Sequence, residues 1–295
     1  MQNDLPKFSD KIVGTMRLGQ WGAKMNSAAY DKFIRRCIEI GCIDFDHADI
    51  YGDYTTESEF GQILKKDPSL RKKMQITTKC GIRMLSENRP HHAIKSYDTS
   101  PQHIVESVEN SLKNLSTDYI DILLIHRPDI LLNADEVAET IMTLKGSGKV
   151  LHFGVSNFTT SQYDLLNDRI LLCTNQVEAS VLHLDPFHDG TFDQLQKLKI
   201  QPTIWSPFAG GKLFAKEKTE RATRIFDMAN GLCEKYDCDI DVLLLAWLKK
   251  HPSHPVPVLG TTKIERIEKY MNAKIKLSRE DWYKLYVASI GKKVA

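Results

Sequence analysis

The sequence has no apolar run near the ~20 residues needed to cross a bilayer. Its longest candidates, such as Ile120 to Ile125, are strand-sized, which excludes a helical membrane span. Neither sign of charge is in excess: 40 Lys and Arg stand against 38 Asp and Glu, a formal net charge of +2. No basic face shows in the order of residues, so no nucleic-acid partner is expected. Cysteine is sparse. Of six cysteines, Cys37/Cys42 and Cys233/Cys238 are each five apart, Cys80 and Cys173 stand alone, and no C-x-x-C pair occurs. Neither a zinc site nor a disulfide framework fits that spacing. Met1 to Ser9 lack the basic-then-apolar layout of a secretory signal, so a reducing, cytoplasmic compartment with free thiols is expected. A G-x-G-x-x-G fingerprint is also missing: Gly14, Gly19 and Gly22 do not make one, and no helix begins there. That argues against a doubly wound dinucleotide-binding sheet.

What is present is an ordinary globular balance, 42% hydrophobic and 26% charged, far from disorder. A chain of 295 residues exceeds the usual span of one core unless that core is a large barrel or a doubly wound sheet. Short apolar runs alternate with amphipathic stretches throughout. Strands are expected at 12–16, 42–45, 74–79, 119–125, 149–155, 172–177, 202–205 and 256–259. Between them, apolar positions recur at helical spacing, as in Tyr30, Phe33, Ile34, Cys37 and Ile38, with Gly41 where a C-terminal cap belongs. Further helices are expected at 57–65, 135–144, 162–166, 192–198, 221–236, 239–249 and 264–271. Another carries the stripe Ile104, Val105, Val108, Leu112 and Leu115 after Ser100 as N-cap and Pro101 at the first helical position. A helix at 279–288 lies beyond the count. Eight strand–helix units match an α/β fold of the (β/α)₈ TIM-barrel type, a single domain over 1–295 with an extra C-terminal helix and long active-site loops. Gly81 to Thr99 reads as one long irregular loop.

In such a barrel, catalytic groups sit where strands end. The expected ends carry Thr15-Met16, Asp46 to Gly52, Lys79-Cys80, His126-Arg127, Ser156-Asn157, Gln176, Trp205-Ser206 and Gly260 to Lys263. An acid, a lysine, a tyrosine and a histidine at one mouth have a chemical meaning. A phenol of pKa ~10 exchanges protons poorly at neutral pH. A nearby ammonium lowers that value, and a carboxylate holds the ammonium in place. Tyr51 as general acid, tuned by Lys79 and Asp46, is then a proton donor to a carbonyl oxygen, and His126 can orient the carbonyl.

At these residues the chain resembles the aldo/keto reductase superfamily. Phe45-Asp46-His47-Ala48-Asp49-Ile50-Tyr51-Gly52 stands where the family has its FDTAxxYG-type motif. Asp118 to Asp121, Leu124 to Pro128, Gly154 to Phe158, Asn175 to Glu178 and Trp205 to Pro207 follow in family order. His47 and the Gln176-to-His183 stretch most resemble a bacterial branch of NADP-dependent oxidoreductases. The resemblance implies a cytosolic reductase of small aldehydes or ketones. In the family, hydride passes from nicotinamide to the carbonyl carbon while the tyrosine protonates the oxygen.

Asp46, Tyr51, Lys79 and His126 match the family's catalytic tetrad. By the same resemblance, Thr15 and Met16 lie beside the cofactor, Ser156, Asn157 and Gln176 bind the carboxamide, and Trp205 stacks on the nicotinamide. Ser206, Pro207, Phe208, Ala209 and Gly210, with Lys212 or Lys216, lie over the pyrophosphate. Gly260, Thr261, Thr262, Lys263 and Arg266 hold the adenosine ribose. The two cations there would favour a 2′-phosphate, so NADP(H) is expected over NAD(H). Two departures stand out. Lys269 and Tyr270 occupy positions where many relatives have Glu-Asn on the adenine, and Met16 replaces an aromatic.

Taken singly, each residue has a plainer reading: a loop tyrosine packs, an Asp–Lys pair is structural, Trp205 is core, and His126 is a satisfied core histidine. Their order, each at a strand end, carries the catalytic reading. His91-His92 are expected to be solvated loop residues rather than metal ligands, and Cys80 a small packing residue rather than a reactive thiol. Trp21 is a candidate wall of the substrate pocket. A monomer acting on a small-molecule carbonyl is expected. The rival readings are a cofactor-binding regulatory subunit with little turnover and a metal-dependent barrel hydrolase. The second lacks ligands, since Lys79 stands between Asp46 and His126, so no metal is expected.

Overall fold

The computed structural model describes residues 5–295. Its strands, in chain order, are β1 (Ile12–Gly14), β2 (Asp44–Asp46), β3 (Gln75–Cys80), β4 (Ile82–Arg83), β5 (Ser96–Tyr97), β6 (Ile120–Ile125), β7 (Val150–Ser156), β8 (Asn175–Glu178), β9 (Thr203–Trp205) and β10 (Val256–Leu259). All but β4 and β5 close into a parallel barrel in the order β1-β10-β9-β8-β7-β6-β3-β2. The TIM-barrel expectation is met strand for strand. Its strands are buried on both faces, as parallel sheets covered by helices are: Ile76, Ile120, Ile122, Leu124, Phe153, Val155 and Ile204 are all inaccessible to solvent.

The helices are α1 (Ser27–Glu39), α2 (Tyr51–Tyr54), α3 (Thr56–Lys66), α4 (Pro101–Leu115), α5 (Ala134–Gly146), α6 (Thr160–Asn167), α7 (Thr191–Leu198), α8 (Glu220–Tyr236), α9 (Ile240–Lys249), α10 (Ile264–Asn272) and α11 (Arg279–Ile290). Helix α1 buries Tyr30, Phe33, Ile34 and Cys37 on one stripe, and Gly41 follows it at φ +79°. Ser100 caps α4 by accepting from the His103 amide. Gly61 lets α3 touch the end of α4: a Cβ there would sit 1.9 Å from the Asn114 carbonyl oxygen. The C-terminal helix α11 is pinned to α8 and α9. Its buried Asp281 accepts from Lys235, Lys284 and Tyr236, which hold the carboxyl well below its ordinary range. Trp247 and Trp282 stack at 5.0 Å and exchange indole N–H bonds to each other's carbonyl.

Four expectations change. The first strand ends at Gly14 rather than Met16, because the chain lifts off to aim Thr15 at Asp46. The sixth barrel strand begins at Asn175, since the Leu172 carbonyl is taken by the Tyr163 hydroxyl and its amide by Asn167. The 81–99 segment is not irregular throughout: β4 and β5 pair antiparallel, Ile82 with Tyr97 and Arg83 with Ser96. Two-residue strands are too short to show a period. The loop between them is tied to α2: the Met84 amide donates to Tyr54, and Asn88 donates to the Asp53 carbonyl. His92 is not solvated; it is buried, with Nδ1 2.9 Å from the Met84 carbonyl.

Candidate active site

The strand ends bring the expected acid, lysine and tyrosine together at the mouth of the barrel. Asp46 ends β2, Lys79 lies one residue before the end of β3, and Tyr51 opens α2. Lys79 Nζ donates to Asp46 Oδ2 at 2.7 Å, to the His47 carbonyl at 2.8 Å and to the Tyr51 hydroxyl at 3.2 Å. Its side chain is 1% exposed and that of Asp46 4%. An ammonium this deep needs full pairing, and three oxygens supply it. Burial opposes the Lys79 charge, but Asp46 and Tyr51 outweigh it and its pKa is raised.

Tyr51 departs from the expectation of a lowered pKa. Lys79 does pull it down, but burial pushes it up by more, and the phenol ends above its ordinary value of 10.0. His126 follows β6, held by its amide bond to the Cys80 carbonyl at 2.8 Å. Its ring stands edge-on to Tyr51 with centroids 6.0 Å apart. Burial, then Lys79 and Arg127, keep this imidazole well below its ordinary pKa, so it is neutral. Its Nδ1 is buried without a hydrogen-bond partner.

A line of hydrogen bonds continues from this centre around the mouth. Gln176 Nε2 donates to Asp46 Oδ1 at 2.9 Å, and the Gln176 carbonyl accepts from Ser156 Oγ at 2.8 Å. Asn157 Nδ2 donates to Ser156 Oγ at 2.7 Å, and Trp205 Nε1 donates to Asn157 Oδ1 at 2.9 Å. Residues from β2, β3, β7, β8 and β9 are thereby linked from Tyr51 to Trp205. Asn157 adopts φ +61° to make these bonds, a conformation asparagine tolerates better than most residues.

The other expected site residues fall in three places. Thr15 is fully buried; its hydroxyl donates to the Asp46 carbonyl at 2.9 Å and meets His47 Nδ1 at 3.0 Å. Met16 and Trp21 are exposed at the mouth, with the Trp21 ring 6.3 Å from that of Tyr51. After β9 the backbone turns left-handed at Ser206, Ala209, Gly210 and Gly211; Pro207 and Ala209 are buried, Phe208 is half-buried, and Lys212 and Lys216 are exposed. After β10, Gly260, Thr261, Thr262 and Lys263 lead into α10, whose first turn carries Arg266. Lys263 and Arg266 are exposed and form no ion pair among the described residues.

The two departures turn inward. Lys269 is held by Asp239 and Asp241, and Tyr270 is buried with its hydroxyl on Asp241 at 2.7 Å. Both join α10 to α9. Cys80 is buried and its thiol is pushed well above its ordinary pKa by burial, as a packing residue would be.

Sequence reasoning gave no role to two residues that the structure places here. His47 is completely buried beneath Asp46, edge-on to Phe60. Burial pushes its imidazole down to about 3. Arg127 sits over the Trp205 ring, 5.4 Å from its centroid, and makes no ion pair among the described residues. A cation directly after His126 at a strand end was the available signal.

A (β/α)₈ barrel with a buried Tyr–Lys–Asp centre at its mouth is the framework of an enzyme. The chain belongs to the aldo/keto reductase family, whose model matches residues 12–288. It is 42% identical over 290 residues to the oxidoreductase YdhF of Escherichia coli, covering 97% of this chain and 95% of that one. It is 43% identical to the uncharacterized oxidoreductase YcsN of Bacillus subtilis over the same shares. A 6-dehydroglucose reductase of Agrobacterium fabrum is 39% identical over 99% of this chain and 98% of its own length. The crystal structure of the thermostable aldo-keto reductase Tm1743 with the inhibitor epalrestat superposes with a TM-score of 0.80 at 23% identity, covering 95% of each chain. That likeness concerns the fold.

Proposed function

We propose that the protein reduces the carbonyl of a small aldehyde or ketone with NADPH, Tyr51 giving the proton. The observation that carries this reading is the buried ammonium of Lys79, bonded at once to the Asp46 carboxylate and the Tyr51 hydroxyl. A phenol kept protonated by burial is a stored proton. As it leaves for a carbonyl oxygen, the phenolate left behind gains the full attraction of Lys79, which the neutral phenol does not have. That difference favours the transition state over the ground state. Asp46 keeps the ammonium charged and in place. His126, neutral, has one N–H; with Nδ1 sealed away from partners, the proton is best used on Nε2, donated to the carbonyl oxygen to fix its orientation.

The cofactor reading is supported by three features. Ser156, Asn157, Gln176 and Trp205 form one preorganised rim beside the Tyr–Lys–Asp centre. Lys263 and Arg266, on the segment assigned to the adenosine ribose, have no anion partner among the described residues, and a 2′-phosphate would complete them. The backbone turns left-handed at Ser206, Ala209, Gly210 and Gly211, a conformation of the kind found in phosphate-cradling loops, with Lys212 and Lys216 nearby. When bound, the nicotinamide supplies hydride to the carbonyl carbon.

NADPH oxidation with a panel of activated aldehydes tests this reading. 6-Dehydroglucose belongs in the panel because two relatives, 39% and 34% identical, are reductases of it. Tyr51→Phe is expected to lower turnover by about 10²–10⁴ with the fold intact. Undiminished turnover in that variant would remove Tyr51 from its role.

A further inference from the structure

At the opposite end of the barrel, where the strands begin, a cavity of about 410 Å³ opens beside the entry to β1. Helix α9 and the chain after α10 form its other sides. Its apolar wall is Val242, Leu245, Ala273, Ile275 and Leu277. Its charges are unbalanced. Lys11, Lys249, Lys250 and Lys276 line it against one carboxylate, Asp10. Lys11 is 3% exposed, and Asp10 is its only ion-pair partner among the described residues. The same half-exposed carboxylate also holds Lys249. Asp241, on the same helix as Lys249, is already taken by Lys269 and the Tyr270 hydroxyl. A buried ammonium that shares its counter-charge with a second ammonium is under-neutralised.

We propose that this cavity is a second binding site, for an alkyl carboxylate: its head on Lys11 and Lys249, its chain against Val242, Leu245 and Leu277. Charge selects the head. With Asp10 in place, one further negative charge balances Lys11 and Lys249. The walls select the tail, because a small inorganic anion leaves the apolar surface wet. The site lies at the end of the barrel opposite Tyr51, so its ligand does not compete with a carbonyl substrate.

Isothermal titration of the full chain with octanoate tests the proposal. Saturable 1:1 binding is expected. Burial pushes the Lys11 ammonium down to about 8, so at pH 8 a bound carboxylate restores its charge and draws a proton from the buffer. Titration in two buffers of different ionisation enthalpy reads that uptake. Lys11→Met and Lys249→Met are each expected to weaken binding about tenfold or more and to leave carbonyl turnover unchanged. Acetate and octanol, each with half of the ligand, are expected to bind more weakly. No saturable binding, binding without proton uptake, octanol as tight as octanoate, or affinity undiminished in Lys249→Met would each overturn the proposal. Lys249→Met decides the matter if Lys11→Met does not fold.

Discussion

Gln176 and Lys79 hold opposite oxygens of one carboxylate: the amide donates to Asp46 Oδ1 at 2.9 Å and the ammonium to Oδ2 at 2.7 Å. The carboxylate cannot rotate without breaking one of them, so the lysine beneath Tyr51 is fixed in direction as well as in charge. Asp46→Asn removes the counter-charge and leaves a buried ammonium unpaired. Chemical denaturation is expected to show a loss of about 3–5 kcal/mol. Turnover is expected to fall about a hundredfold. Gln176→Leu, which spares the charge, is expected to be milder on stability, about 1–3 kcal/mol.

The pH profile of reduction follows from two shifts in opposite directions. Tyr51 titrates above 10.0, so its proton is present through neutral and alkaline pH. His126 stays neutral well below 6.5, so no inflection arises there. The rate of carbonyl reduction is therefore expected to be flat across neutrality and to decline only as pH rises through the raised phenol value. Alcohol oxidation needs the same oxygen as a base and is expected to climb over that range. A bell centred near 6.5 for reduction would contradict the assignment of His126 as a neutral donor.

Buried His47 couples stability to pH. Its folded pKa, about 3, lies below the ordinary 6.5. Between those values the unfolded chain binds the proton more readily, so stability is full above 6.5 and is lost as pH falls toward 3. One such group contributes a slope of about 1.4 kcal/mol per pH unit. Denaturation midpoints from pH 7 to pH 4 are expected to flatten by about one proton's worth in His47→Gln. An unchanged slope would mean that His47 is not the group being protonated.

Arg266→Ala separates the two cofactors. The dissociation constant of NADPH, followed by quenching of protein fluorescence, is expected to rise about tenfold or more, with NADH little changed. Lys263→Ala is expected to act in the same direction. Equal losses for both cofactors would place these cations elsewhere than on a 2′-phosphate.

The barrel was legible because eight apolar runs recur at strand length with helical stripes between them. Asp46, Lys79, Tyr51 and His126 were legible because each follows such a run. Periodicity carries no information about what a loop does, so β4 and β5 and the tie from Met84 to Tyr54 were invisible. Electrostatics was legible in kind but not in balance: the pull of Lys79 on Tyr51 follows from charge alone, whereas the larger push from burial needs the packed site. His47 was readable only as a letter in a motif, since its bond to Thr15 joins the ends of two neighbouring strands.

The paired indoles of Trp247 and Trp282 lie 5.0 Å apart and nearly parallel, one on α9 and one on α11. At that separation two chromophores exchange excitation rather than emit independently. The C-terminal helix thus carries its own optical label: undocking it from the barrel separates the two indoles and changes tryptophan emission, so its timing against the unravelling of the strands can be followed without adding a dye.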